Sequence, residues 1–162
     1  MNDLDENIMN NNLIEFVKNN LKTGAKILDL GAGDFDDVNE LKRLGYFCEG
    51  VDLKGGVDLE KPYLSPNKPF DLVYSNFVLH FLDNKKTLFK SALNNLAENG
   101  YLFFQDVERS DLTTNKYFTE KEMLQIIKNC GFTILHDKKF DFFDDKPDHM
   151  HYHSIVEIHA KK

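Results

Sequence analysis

An apolar strand running straight into a paired-glycine turn constrains this chain more than any other feature. Lys26-Ile27-Leu28-Asp29-Leu30 leads into Gly31-Ala32-Gly33-Asp34-Phe35, and a second strand ending in acid, Val51-Asp52-Leu53, follows. The acid lies about twenty residues beyond the glycines, the spacing of a nucleotide site. Gly31 and Gly33 can take positive φ and let backbone approach a ligand, while Asp52 is placed to accept hydrogen bonds from a ribose diol.

Asp29 bears on which nucleotide this is. A pyrophosphate seated on a helix N-terminus would be repelled by a neighbouring acid. The acid instead suits a cofactor with a cationic amino-acid end and no phosphate, which is S-adenosylmethionine. The run 27–33 resembles the first motif of class I S-adenosylmethionine-dependent methyltransferases. That resemblance implies that Asp29 lies near the methionine moiety, with Gly31, Ala32, Gly33 and Asp34 around it, and that Asp52 and Leu53 meet the ribose. The third glycine of the family is Phe35 here, which either tightens the methionine end or weakens cofactor binding.

The likeness covers roughly 20–162 and keeps the order of elements. Gly50-Val51-Asp52-Leu53 looks like the family's second strand, and Val57-Asp58-Leu59 like the segment whose acid faces the adenine amine. Residues 70–82, with Ser75 and Asn76 at the cofactor, resemble the fourth-strand motif and its turn; Asn99-Gly100-Tyr101-Leu102 resembles the glycine-led fifth strand. The implied fold is an α/β, Rossmann-like doubly wound sheet, mostly parallel with an antiparallel final strand and helices on both faces.

Hydrophobic periodicity gives the same alternation without the family. Ile8, Leu13, Ile14, Phe16, Val17 and Leu21 recur at helical spacing before Thr23-Gly24, so a leading helical segment occupies 1–22. Val38, Leu41 and Leu44 continue a helix to Gly45, and 46–51 reads as a strand. Strands follow at 70–75 and 101–106, with a short helix after Asn76 and an amphipathic one over 84–97. Thr119-Glu120-Lys121-Glu122 has the pattern of a capping box, and strands near 132–140 and 153–160 are expected to pair antiparallel.

With 162 residues the chain reads as one domain over 1–162, and a net charge of -7 argues against nucleic acid as a partner. An acidic first segment and the lack of a long apolar run predict no membrane association and a cytoplasmic location. Cys48 and Cys130 have no metal-type spacing, and no metal is expected.

Methyl transfer from a sulfonium needs positioning more than a strong nucleophile. A base is optional, and His80, just after the 70–75 strand, is the candidate. His149, His151 and His153 would share one face of an extended segment and line the acceptor side, with a metal site or a bare strand edge as the other readings. The last strand also carries a short likeness to tellurite-resistance methyltransferases. The expected activity is methyl transfer to a small-molecule acceptor. The alternatives are a methyltransferase-like binding protein without catalysis and an enzyme acting on a protein.

Overall fold

The computed structural model describes the backbone of residues 3–108, 118–144 and 151–162, and the side chains of 11–108, 118–141 and 154–162. Helix α1 (Asp3–Asn20) leads into strand β1 (Lys26–Leu30), α2 (Asp36–Arg43) and β2 (Phe47–Val51). Then come β3 (Phe70–Asn76), α3 (Lys85–Asn95), β4 (Leu96–Val107), α4 (Glu120–Asn129), β5 (Thr133–Asp144) and β6 (His151–Lys161). The strands form one sheet in the order β2-β1-β3-β4-β6-β5. The first three pairings are parallel, while β6 runs antiparallel to both β4 and β5.

Alternation along each strand sorts side chains to two apolar faces. On one face Ile27, Leu72, Tyr74 and Phe103 meet Leu13, Phe16 and Val17 of α1 and Val38 and Leu41 of α2. On the other, Leu28, Leu30, Val73, Leu102 and Phe104 meet Leu88, Phe89 and Ala92 of α3 and Met123 and Ile127 of α4. Each fully buried Leu, Ile or Phe contributes on the order of 1.5–3 kcal/mol. The capping box forms as expected: Glu122 N–H donates to Thr119 Oγ1 at 3.2 Å, and Thr119 N–H donates to Glu122 Oε2 at 3.1 Å.

Residues 57–59 lie outside the strands, β2 is an edge of the sheet, and the strands that resemble the family's fourth and fifth are β3 and β4. The acid at position 58 works in a turn, where its Oδ1 accepts from Glu60 N–H at 3.1 Å. In addition, β4 starts at Leu96, which pairs with Phe70 before a register shift, rather than at Gly100. Gly100 sits inside that irregularity, where a Cβ would lie 2.9 Å from the Ala97 carbonyl oxygen. Among the described residues no helix is long and apolar enough to cross a membrane.

Candidate cofactor and active site

The C-terminal ends of β1, β2 and β3 surround a cavity of about 520 Å³. Gly31 and Gly33 form one wall, Asp52, Leu53, Asp58 and Leu59 another, and Asn76 a third. Gly31 and Ala32 N–H groups both donate to the Val51 carbonyl at 2.9 Å, which fastens the glycine turn to the end of β2. Asp52 is fixed in turn: its Oδ2 accepts from Gly33 N–H and its Oδ1 from Lys54 N–H, both at 3.1 Å. A carboxylate oxygen has two lone pairs, so each keeps capacity for a ligand hydroxyl.

The glycines serve different ends. Gly33, at φ +55°, has nothing within 4 Å of where a Cβ would stand, which leaves a cradle open for a ligand. Gly31, at φ +97°, is needed for packing: its Cβ would lie 2.2 Å from Val78 Cγ2. The chain therefore presents an acid set for a diol, an open glycine turn and the apolar side chains Leu53, Val57, Phe81 and Leu82 around one space. That donor and apolar set fits an adenosine bearing a methionine-like end.

Several predicted residues lie off this wall. Alternation in β1 turns Asp29 beneath α2, among Tyr74 and Cys48, where it is buried. Burial raises its pKa well above the usual carboxylate range, with the charges of Asp37 and Asp52 adding to the rise. The Tyr74 hydroxyl stands near enough to oppose that rise, yet makes no hydrogen bond of proper geometry. Asp29 thus underlies the glycine turn without touching the cavity. Ser75 is spent on the frame, its Oγ donating to the Leu30 carbonyl at 2.9 Å. Ala32 packs with the α2 face. Asp34 forms an exposed pair with Lys54 at 3.2 Å.

The Phe35 ring lies off the lining of this cavity. Phe35 takes φ +66° as the residue before α2 and turns outward, packing with the α2 face. A Cβ at Gly50 would lie 2.7 Å from Ala32 Cβ, 2.8 Å from Val38 Cγ2 and 3.0 Å from Phe35 Cε1, so this position admits only glycine beneath the α2 face. The left-handed backbone that a third glycine would supply is adopted here by phenylalanine.

His80 sits in the 3-10 turn Leu79–Phe81, its ring 4.0 Å from that of the wall residue Phe81. Its Nδ1 lies 2.7 Å from Asp106 Oδ1, and its backbone N–H donates to Asp106 Oδ2 at 3.1 Å. Asp106, at the end of β4, is buried. Such a carboxylate orients the ring and favours the tautomer with the proton on Nδ1.

Sequence reasoning missed Asp106, though an acid ending an apolar strand was a usable signal. It also missed Glu60, whose carboxylate accepts from Asp83 N–H at 2.6 Å and Asn84 N–H at 3.0 Å and so ties the cavity rim to the start of α3. Phe77 had no signal at all: it lines the cavity at φ +61°, a conformation costly for a bulky residue and concentrated at functional sites. His149 lies outside the described residues. His151 and His153 lie in β6 opposite Asp144 and Phe142, and their side chains are not described.

Comparison with known proteins agrees with this geometry. A family model described as a methyltransferase domain matches residues 5–159. Among solved structures, an S-adenosylmethionine-dependent methyltransferase from Methanosarcina mazei superposes with a TM-score of 0.75 at 16% identity, covering 91% of this chain and 96% of that one. One from Mesorhizobium loti gives 0.67 at 19%, covering 86% and 92%. The 1,6-didemethyltoxoflavin-N1-methyltransferase of Burkholderia thailandensis, with S-adenosylhomocysteine and 1,6-didemethyltoxoflavin bound, gives 0.66 at 21%, covering 86% and 72%. No relative matches among curated proteins. The chain belongs to the methyltransferase-domain family, and S-adenosylmethionine is the cofactor that this family and fold bring with them.

Proposed function

We propose that this chain, as one domain, transfers the methyl group of S-adenosylmethionine to a small-molecule acceptor by in-line displacement. The observation that carries the reading is the Asp52 carboxylate, held by Gly33 and Lys54 N–H groups at the mouth of the glycine turn. When bound, the cofactor supplies an activated methyl on a sulfonium. The chain's part is to bind, orient and exclude water. Asp52 takes the ribose, Leu53 and Phe81 flank the base, and Asp58 stands at the base edge. His80, oriented by Asp106, is placed to receive a proton from the acceptor.

The small-molecule reading is supported by the Burkholderia structure, whose acceptor is a small heterocycle. His151 and His153 start β6 at the sheet end where β3 and β4 finish, so they remain proposed to line the acceptor side. Incubation with methyl-labelled S-adenosylmethionine and a metabolite extract, followed by isolation of labelled products, tests the function. A labelled small molecule that His80→Gln suppresses is the expected result. Label found only in protein would contradict it.

A further inference from the structure

Among the described residues, three buried side-chain polar atoms make no hydrogen bond: Tyr74 Oη, Asn76 Oδ1 and Gln105 Oε1. The last two belong together. Asn76 of β3 is the register partner of Gln105 of β4, Gln105 that of Glu157 of β6, and Glu157 that of Lys138 of β5. A polar row therefore crosses four strands on the α1 face. Partners on adjacent strands stand about 4.8 Å apart, so the two amide groups are immediate neighbours. Buried acceptors left without donors are destabilising, and two side by side point to a ligand that supplies both.

The row is anchored at its far end. Gln105 Nε2 donates to Glu157 Oε2 at 2.6 Å, and Asn12 Nδ2 of α1 donates to the same oxygen at 3.1 Å. These bonds leave Oε1 as the part of Gln105 without a use. The His159 contact at 2.8 Å and Lys138 Nζ at 3.5 Å add to them. Glu157 is held below the usual carboxylate range by His159, Gln105 and Lys138, against the opposing effect of burial, so it carries negative charge. Next along the same face, toward the ends of β3 and β4, lie Val107, Ile155 and Phe140, with Phe77 packed against them. Phe77 also belongs to the cofactor cavity, so this apolar group and the cavity share a wall.

We propose that the Asn76 and Gln105 side-chain oxygens are the acceptor's recognition site, and that the acceptor is a small amine with an apolar body. This rests on the methyltransferase reading above. Two N–H groups of a neutral primary amine donate to the two oxygens, and the body lies over Phe77, Val107 and Ile155. The nitrogen lone pair is then left for the methyl. The nitrogen–carbon bond forms as the sulfur–carbon bond breaks, sulfur keeps the electron pair, and the surplus N–H proton of the methylammonium so formed passes to His80, the base named above. The row runs from the cavity wall toward β6, away from the cofactor, which favours the acceptor over the cofactor's own ammonium as the donor.

Calorimetry and ligand-observed NMR on the full chain saturated with S-adenosylhomocysteine test this, using benzylamine and its donor-free counterpart anisole as probes. Benzylamine is expected to bind about ten-fold more tightly than anisole, the worth of roughly one net hydrogen bond. Gln105→Met should remove that preference and leave S-adenosylhomocysteine affinity unchanged. Should that variant not fold, Glu157→Gln, which loosens the anchor of the Gln105 amide, should diminish the preference in the same way. Equal binding of the two probes, or a preference that survives both variants, would overturn the proposal. A loss of S-adenosylhomocysteine affinity in Gln105→Met would assign the oxygens to the cofactor instead. A wild-type protein that binds no S-adenosylhomocysteine would fail the underlying reading rather than this one.

Discussion

Gly33 N–H and Asp52 Oδ2 meet at 3.1 Å, joining the turn after β1 to the turn after β2. The bond fixes the carboxylate before any ligand arrives, so little reorganisation is needed on binding. The two residues lie at the ends of neighbouring parallel strands, which explains why a sequence separation can encode a site.

The Gly31 position has a steric requirement that substitution should expose. Alanine there would adopt φ +97° and press its Cβ against Val78 at 2.2 Å. Left-handed strain of about 1–2 kcal/mol and overpacking of about 1–3 kcal/mol both apply. Urea unfolding of Gly31→Ala should show a loss of that combined order, and adding Val78→Ala should return the packing part. Additive losses in the double variant would mean that Val78 is not the obstacle.

Asp29 makes a prediction with a definite sign. Its folded pKa is raised, so the native state holds the proton after the unfolded chain has released it. Stability falls as pH climbs from the ordinary carboxylate value, about 3.9, toward the raised folded value. Asp29→Asn, which never ionises, should be more stable than wild type at neutral pH, with the gap closing in acid. Thermal unfolding across pH checks this, and a variant less stable at pH 7 would refute it.

Asp106 holds His80 through both ring and backbone. Asp106→Asn should cost about 1.5–3 kcal/mol, the range for hydrogen bonds to charged groups. Nitrogen-15 NMR of the wild type should place the His80 proton on Nδ1. A proton on Nε2 would be incompatible with the orientation proposed for catalysis.

Thr119→Ala serves as a contrast outside the cavity lining. Loss of the capping box should cost about 0.5–2 kcal/mol of stability and leave S-adenosylhomocysteine affinity as it was. A change in affinity would show that α4 is coupled to the site.

What could be read from the residues alone follows a physical division. Strand alternation, glycine stops and the Thr119 cap are local signals, and they gave the order of elements. Asp52, Gly33, Asp58 and Asn76, which the sequence picks out at strand and turn ends, all line one cavity. Where the Asp29 and Phe35 side chains point depends on which face the strand or turn presents, and a motif does not record that. Phe77 and the Asn76–Gln105–Glu157 row depend on left-handed backbone and on register between strands distant in sequence, neither of which leaves a local trace.

The central claim is that Asp52 and the glycine turn hold S-adenosylmethionine. Titration calorimetry with S-adenosylhomocysteine on wild type and Asp52→Ala tests it most directly. The account predicts saturable one-to-one binding by the wild type, weakened in a folded Asp52→Ala by about 1.5–3 kcal/mol, the worth of charge-assisted hydrogen bonds. An unchanged dissociation constant in that variant, or no heat from the wild type at millimolar ligand, would contradict it.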